Sequence, residues 1–141
     1  MIKIAQTDSE IAACFPVMVQ LRPHLHAEAF VPQIRELMAN GYCLAYLIEA
    51  ESVVSVAGFK LDQNLFAGKH LYVEDLVTCE RNRSKGYGER MMAWLTAYAQ
   101  NHHCAVIHLD SGVQRHGAHR FYLKQRLNIV CYHFLARLDT D

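Results

Sequence analysis

Arg83-Ser84-Lys85-Gly86-Tyr87-Gly88 joins two segments of opposite character. Before it runs Leu71-Tyr72-Val73-Glu74-Asp75-Leu76-Val77-Thr78, rich in β-branched and aromatic residues, which predicts a strand. After it, Met91, Met92, Leu95 and Tyr98 recur at helical spacing, which predicts a helix over 89–100. A basic, glycine-containing turn from strand to helix suits an anion. The first turn of a helix carries free N–H groups and partial positive charge, and glycine lets a phosphate approach the backbone. Arg83 and Lys85 add side-chain charge.

Two better-known phosphate motifs are excluded. The chain has no G-x-x-x-x-G-K-[ST], so the lysine and the magnesium-binding hydroxyl of a nucleotide-hydrolysing loop are absent. The turn holds only two glycines, Gly86 and Gly88, and no βαβ repeat with a ribose-binding acid follows, so it is no dinucleotide fingerprint.

At 141 residues the chain is expected to fold as one domain with a sizeable core. Lys plus Arg balances Asp plus Glu at 14 each, so no global basic field points to nucleic acid. Arg81, Arg83, Lys85 and Arg90 make only a local patch. No signal peptide and no membrane-spanning apolar run are evident, so a cytoplasmic protein without membrane partners is expected. Exposed sheet edges in so small a domain point to a homodimer. The five cysteines form no C-x-x-C pair and are read as reduced. Among the nine histidines, His24-x-His26, His102-His103 and His116-x-x-His119 are spaced as ligand pairs, but no third ligand is signalled, so no metal is expected.

The remaining elements follow in order. A strand is expected over 2–5, then a helix over 8–20, capped by Asp8 or Ser9 and kinked or broken at Pro16. Residues 21–30 read as a polar linker and 31–39 as a helix, with Pro32 in its first turn. Segments 42–49 and 52–61 read as a hairpin around Ala50-Glu51, and 62–69 as a loop. Segment 105–110 is a strand, 114–125 a helix, and 129–138 a last strand that closes the sheet. Glu74 and Asp75 interrupt an apolar strand, on opposite faces because side chains alternate, so only one can face a cleft. Tyr122 beside Phe121 reads, by itself, as a packed aromatic.

The R-x-x-G-x-G pattern at the strand–helix turn, followed by Ala118 and the Phe121-Tyr122 pair on the late helix, resembles the GNAT superfamily of acyl-CoA N-acyltransferases. The resemblance covers nearly the whole chain. It implies an α/β fold with a mixed, mostly antiparallel central sheet and helices on both faces. The co-substrate would be acetyl-CoA, transferred directly to a primary amine of a small molecule or peptide in a ternary complex. The implied cofactor residues are Arg83, Ser84, Lys85, Gly86, Tyr87 and Gly88 for the pyrophosphate, with Leu76, Val77 and Thr78 for the pantetheine arm where two strands splay apart. Tyr122 would protonate the leaving thiolate, and its phenol stays protonated at neutral pH. Glu74 is favoured as the base, on a face shared with Tyr72 and Leu76; Asp75 is the other candidate. His24, His26, Glu28 and Phe30 would line the acceptor pocket. Asp110 and Ser111 would bind the amine or simply turn the chain.

Two positions depart from the family pattern. Arg115 stands where relatives carry an asparagine that contacts the pantetheine arm; here it would reach a phosphate or an acidic substrate. Arg126 stands where the family ends the helix with a left-handed glycine. Arginine in that conformation costs on the order of ~1 kcal/mol, so the helix end is expected to differ. Cys79 and Cys104 have no activating partner legible in sequence, so no covalent acetyl-enzyme is expected. The rival reading is a coenzyme A-binding regulatory or partner-binding module without catalysis.

Overall fold

The protein is described by a computed structural model covering residues 1–139. The chain divides into two compact units, Met1–Leu109 and Asp110–Asp141, and each is described by itself. Among the described residues no helix is long and apolar enough to cross a membrane.

The first unit holds a five-stranded sheet in the order β1 (Ile2–Ile4), β2 (Tyr42–Glu49), β3 (Ser52–Asn64), β4 (Gly68–Thr78) and β5 (Val106–Leu109). The first four pair antiparallel, and β4 with β5 is parallel. Helices α1 (Asp8–Leu21) and α2 (Ala27–Ala39) pack on one face. Alternation sends Leu44, Tyr46, Val56 and Val77 to them, where they meet Ile11, Cys14, Val17, Met18, Phe30 and Ile34. The other face takes α3 (Tyr87–Asn101), with Phe59 edge-on to Trp94 and Tyr98 at 6.0 and 5.1 Å between ring centres. The mixed sheet with helices on both faces is the architecture expected.

The hairpin between β2 and β3 turns at Ala50 (φ 48°) and Glu51 (φ 65°), as read from the sequence. Two left-handed residues in a two-residue loop match the right-handed twist of the strands, although neither is glycine. Strand β3 runs on to Asn64, so the loop expected over 62–69 shrinks to a short turn.

Helix α1 is capped by Thr7, one residue earlier than expected. Thr7 Oγ1 accepts from the Glu10 amide at 3.1 Å, and Glu10 Oε1 accepts from the Thr7 amide at 3.0 Å. This reciprocal pair satisfies donors that a helix start leaves open. The helix continues through Pro16 without a break. Helix α2 begins at Ala27 rather than 31, so the linker is shorter than expected and Pro32 lies inside the helix. The earlier start places Phe30 on α2, buried and edge-on to Phe15 at 5.2 Å.

The second unit contains α4 (His116–Lys124). Arg126 (φ 67°) ends it in the left-handed conformation expected of glycine, with Leu127 N donating to Tyr122 O at 3.0 Å. The departure at Arg126 therefore does not change the helix end. Within the second unit, segment 129–138 forms no strand, which corrects the sequence reading: its β-type composition supplies propensity, but among the described residues that unit holds no neighbouring strand to pair with.

Glu10 also accepts a hydrogen bond from Tyr46 Oη at 2.5 Å, tying α1 to β2. These bonds, Tyr46 foremost, lower its pKa from 4.5 to about 2. A depressed carboxylate stabilises the fold above its unfolded pKa and loses that contribution as pH falls through the folded value. Glu10→Gln is expected to melt below the parent at neutral pH, with the gap narrowing between about pH 4.5 and 2, as followed by thermal denaturation.

Candidate active site

The site is built on an irregularity in β4. Gly58 pairs with Asp75 but Phe59 pairs with Val73, so Glu74 is an extra residue, a β-bulge. The bulge resets the alternation. Asp75 lies over Gly58 on the α1/α2 side, and Glu74 opens into the same cleft. The expectation that only one of the two acids could face a cleft is corrected, because strict alternation fails across a bulge. Tyr72 and Leu76 also cease to share a face, since their partners Lys60 and Ala57 lie on opposite sides of β3.

Asp75 is held from two directions. Tyr42 Oη donates to its Oδ2 at 2.8 Å, reaching across β3 from β2. Arg22 Nε donates to its Oδ1 at 3.0 Å, and Arg22 Nη2 donates to the Glu74 carbonyl at 3.0 Å. Arg22 directly follows α1, so the end of that helix is fastened to the bulge. The Tyr42 ring crosses β3 where glycine leaves room: a Cβ at Gly58 would overlap the Tyr42 hydroxyl and meet Asp75 Oδ2 at 2.7 Å. Burial, then the Asp75 charge, push the Tyr42 phenol well above its ordinary range, so it acts as a donor.

Glu74 has no such clamp. Partial desolvation, then the charge of Asp75, raise its carboxyl, while Lys60 and Arg22 pull the other way. The cleft has a volume of about 480 Å³. Its lining is apolar at Met18, Leu25, Phe30, Ile34 and Leu37 and polar or charged at Arg22, His24, Glu36, Glu74 and Asp75. His24 and Phe30 therefore line it as expected. His26 is exposed at the start of α2 and Glu28 is exposed in its first turn; neither belongs to the lining. Arg22, Tyr42 and Glu36 were not singled out from sequence.

After Val73, β4 continues without β5: the parallel pairing runs only from His70–Val106 to Val73–Leu109. Within the first unit, the β5-side edge of Glu74, Leu76, Val77 and Thr78 has no partner strand, and Ser55 Oγ donates to the Val77 carbonyl at 3.1 Å from the β3 side. A 3-10 turn, Glu80–Asn82, leads to the basic loop. Ser84 (φ 65°) and Gly86 (φ 82°) are left-handed, and Gly86 caps α3 with no side-chain hydrogen bond to the first turn. The amides of that turn are left to an incoming acceptor, and nothing stands within 4 Å of where a Gly86 Cβ would be. Residues and backbone here fit a pyrophosphate.

Cys79, at the end of β4, does have a partner. Gln20 Nε2 donates to its Sγ at 3.4 Å, and this contact, chiefly, lowers its thiol pKa. That partner comes from α1 and is invisible in local sequence. Among the described residues no three His, Cys, Asp or Glu side chains group to hold a metal ion.

In the second unit, Tyr122 lies on α4 and Arg115 precedes it as the helix cap. Burial raises the Tyr122 phenol, and the Arg115 side chain, through its charge and a hydrogen bond, pulls it back. Asp110 Oδ2 lies 3.1 Å from His133 Nδ1, and Ser111 Oγ is buried.

Comparison with known proteins places this fold and loop in a class. The Acetyltransferase (GNAT) family matches residues 5–126. An uncharacterized N-acetyltransferase of Bacillus subtilis (strain 168), YhdJ, is 33% identical over 127 residues, covering 89% of each chain. Among solved structures, a transcriptional regulator from Bacillus halodurans C-125 superposes with a TM-score of 0.86 at 18% identity, over 98% of this chain and 99% of that one. The aminoglycoside N-acetyltransferase AAC(6')-Iy, in complex with CoA, superposes at 0.85 with 12% identity, over 99% and 95%. The chain belongs to the GNAT acetyltransferase family and is an acyl-CoA-dependent acetyltransferase.

Gly58→Ala is expected to destabilise the protein by about 1–3 kcal/mol through overpacking. The penalty should shrink in a Tyr42→Ala background, as measured by denaturant unfolding of the double-mutant cycle.

Proposed function

We propose that this enzyme acetylates a primary amine of a small molecule or peptide by direct transfer, with Glu74 as the base and Asp75 as its fixed neighbour. The observation that carries the assignment is the bulge: it brings two carboxylates into one cleft but ties only one of them to donors. Acetyl-CoA, when bound, supplies an acetyl group already activated as a thioester. Its pyrophosphate would be held by the backbone from Arg83 to Gly88 with Arg83 and Lys85 beside it. Its pantetheine arm would lie along the β5-side edge of Leu76, Val77 and Thr78.

The acceptor arrives as an ammonium ion, which the carboxylates of Glu36, Glu74 and Asp75 attract. It must lose a proton before its nitrogen can attack. A carboxyl raised toward neutrality accepts that proton better than an ordinary glutamate does. Arg22 and Tyr42 occupy both Asp75 oxygens, leaving Glu74 for the substrate. The apolar part of the lining suits an amine carried on a partly apolar body, and the cleft volume is that of a small-molecule site. Tyr122 holds its proton at the phenol oxygen and would donate it to the leaving sulfur; Arg115, bonded to that oxygen, makes the proton easier to release. His26 lies outside the cleft lining. Cys79 needs no part in direct transfer.

Calorimetric titration with acetyl-CoA tests the loop. Arg83→Ala and Gly86→Glu should each weaken binding about tenfold or more, since the first removes a cation that pairs with the phosphate and the second sets a carboxylate against it. An amine-library screen should then show acetylation that Tyr122→Phe slows by about 10²-fold. Cofactor binding without acetylation of any amine would instead favour the non-catalytic module.

The base assignment has a pH signature. With Glu74 as the base, kcat/KM rises as pH climbs through its raised pKa. Asp75→Asn removes a negative neighbour and releases Arg22, and both changes lower the Glu74 pKa. The acid limb of the pH–rate profile should therefore move to lower pH, while Glu74→Gln should abolish it.

A further inference from the structure

We infer that Gln20 is a positioning residue for the cofactor: from the last turn of α1 it sets where the basic loop begins relative to the bulge at Glu74-Asp75. This rests on the reading that residues 83–88 hold the pyrophosphate and the edge of 76–78 takes the pantetheine arm. Gln20 Oε1 accepts from the Glu80 backbone N–H at 2.9 Å, and its Nε2 donates to Cys79 Sγ at 3.4 Å. The same nitrogen donates to the Pro16 carbonyl at 3.1 Å, one turn back along α1. Both N–H bonds of the side-chain amide are thus engaged, and its plane is fixed. Cys79 Sγ carries the hold onward, because it also accepts the Arg81 backbone N–H. Glu80 and Arg81 open the 3-10 turn that leads into the loop.

The same helix end holds the other end of this segment. Arg22, two residues on, donates to Asp75 and to the Glu74 carbonyl at 3.0 Å each. Residues two apart on a helix do not face the same way. Arg22 has left the helix, with φ −120° and ψ 76°, so both side chains reach β4. Val17 and Met18, between Pro16 and Gln20, belong to the same apolar cluster as Val77. On the β3 side, Cys79 N donates to the Val54 carbonyl at 2.8 Å. The end of α1 therefore spans β4 from the bulge to the loop, the stretch along which the arm would lie.

Gln20 is exposed. Water would satisfy the groups it bonds, and stilling a long side chain costs rotamer entropy, so its net contribution to folding is small. Water would not hold Glu80 at a set distance from the bulge. That distance matters to chemistry, since a misplacement of about 1 Å remote from the reacting atoms costs up to about 10²-fold in rate.

Calorimetric titration of the full chain with acetyl-CoA, and with ADP as a competitor that carries a pyrophosphate but no pantetheine arm, tests this. Gln20→Leu cuts both bonds and should weaken acetyl-CoA about tenfold while changing ADP less than about threefold, because the loop survives but loses its register with the arm. Its melting temperature should stay close to the parent's. Cys79→Ala removes only the sulfur link and should weaken acetyl-CoA about threefold; Cys79→Ser, whose hydroxyl accepts from the same two donors, should restore it. This second pair reads the same hold without altering Gln20. Parent-like acetyl-CoA affinity in Gln20→Leu, beside a weakened Arg83→Ala, would overturn the inference alone. An equal loss of both ligands in Gln20→Leu would also overturn it, since the loop would then have collapsed rather than shifted. ADP that fails to compete for the parent, or Arg83→Ala that binds acetyl-CoA as tightly as the parent, would sink the loop reading and the inference with it.

Discussion

The carboxylate of Asp75 is the point on which the first unit is organised. It takes one hydrogen bond from Tyr42 on β2 and one from Arg22 at the end of α1. Leaving such a group short of a partner costs about 1–3 kcal/mol. Satisfying it requires β2, β3, β4 and the α1–α2 connection to be in register together. Gly58 is the condition for this, because any side chain there would occupy the path of the tyrosine. The same clamp fixes the bulge, through the bond from Arg22 to the Glu74 carbonyl. The proposed chemistry rests on that asymmetry: one acid is tied to donors, and its neighbour, without such a clamp, would take the substrate's proton.

The first unit's framework was largely legible in the sequence. The strand, basic turn and helix around Arg83–Gly88 are local, and local periodicity and turn chemistry suffice to read them. The hairpin at Ala50-Glu51 was legible from its flanking strands, even though its turn residues are not the usual ones. The basic loop proposed to hold the pyrophosphate was legible in composition, but its left-handed Ser84 and Gly86 and a helix start without a side-chain cap emerge only from the backbone.

The centre of the cleft was not legible, for a physical reason. Tyr42, Gly58 and Asp75 sit on three strands, and Arg22 lies on none of them, so their meeting depends on register rather than spacing. A bulge adds a single residue, and in Glu74-Asp75 both positions are polar, so no break in the pattern announces it. The same limit applies to Cys79, whose partner Gln20 comes from a distant helix. Segment 129–138 illustrates the converse: its pattern is legible and asks for a strand, but propensity cannot supply the neighbouring edge.

The most direct test of this account is a carboxyl-carbon NMR titration of Glu74 in the free protein. A midpoint above the ordinary glutamate range is expected, because the side chain is partly desolvated beside the charge of Asp75. A midpoint at or below the ordinary value would contradict it, since Glu74 would then differ in no useful way from a solvated surface acid.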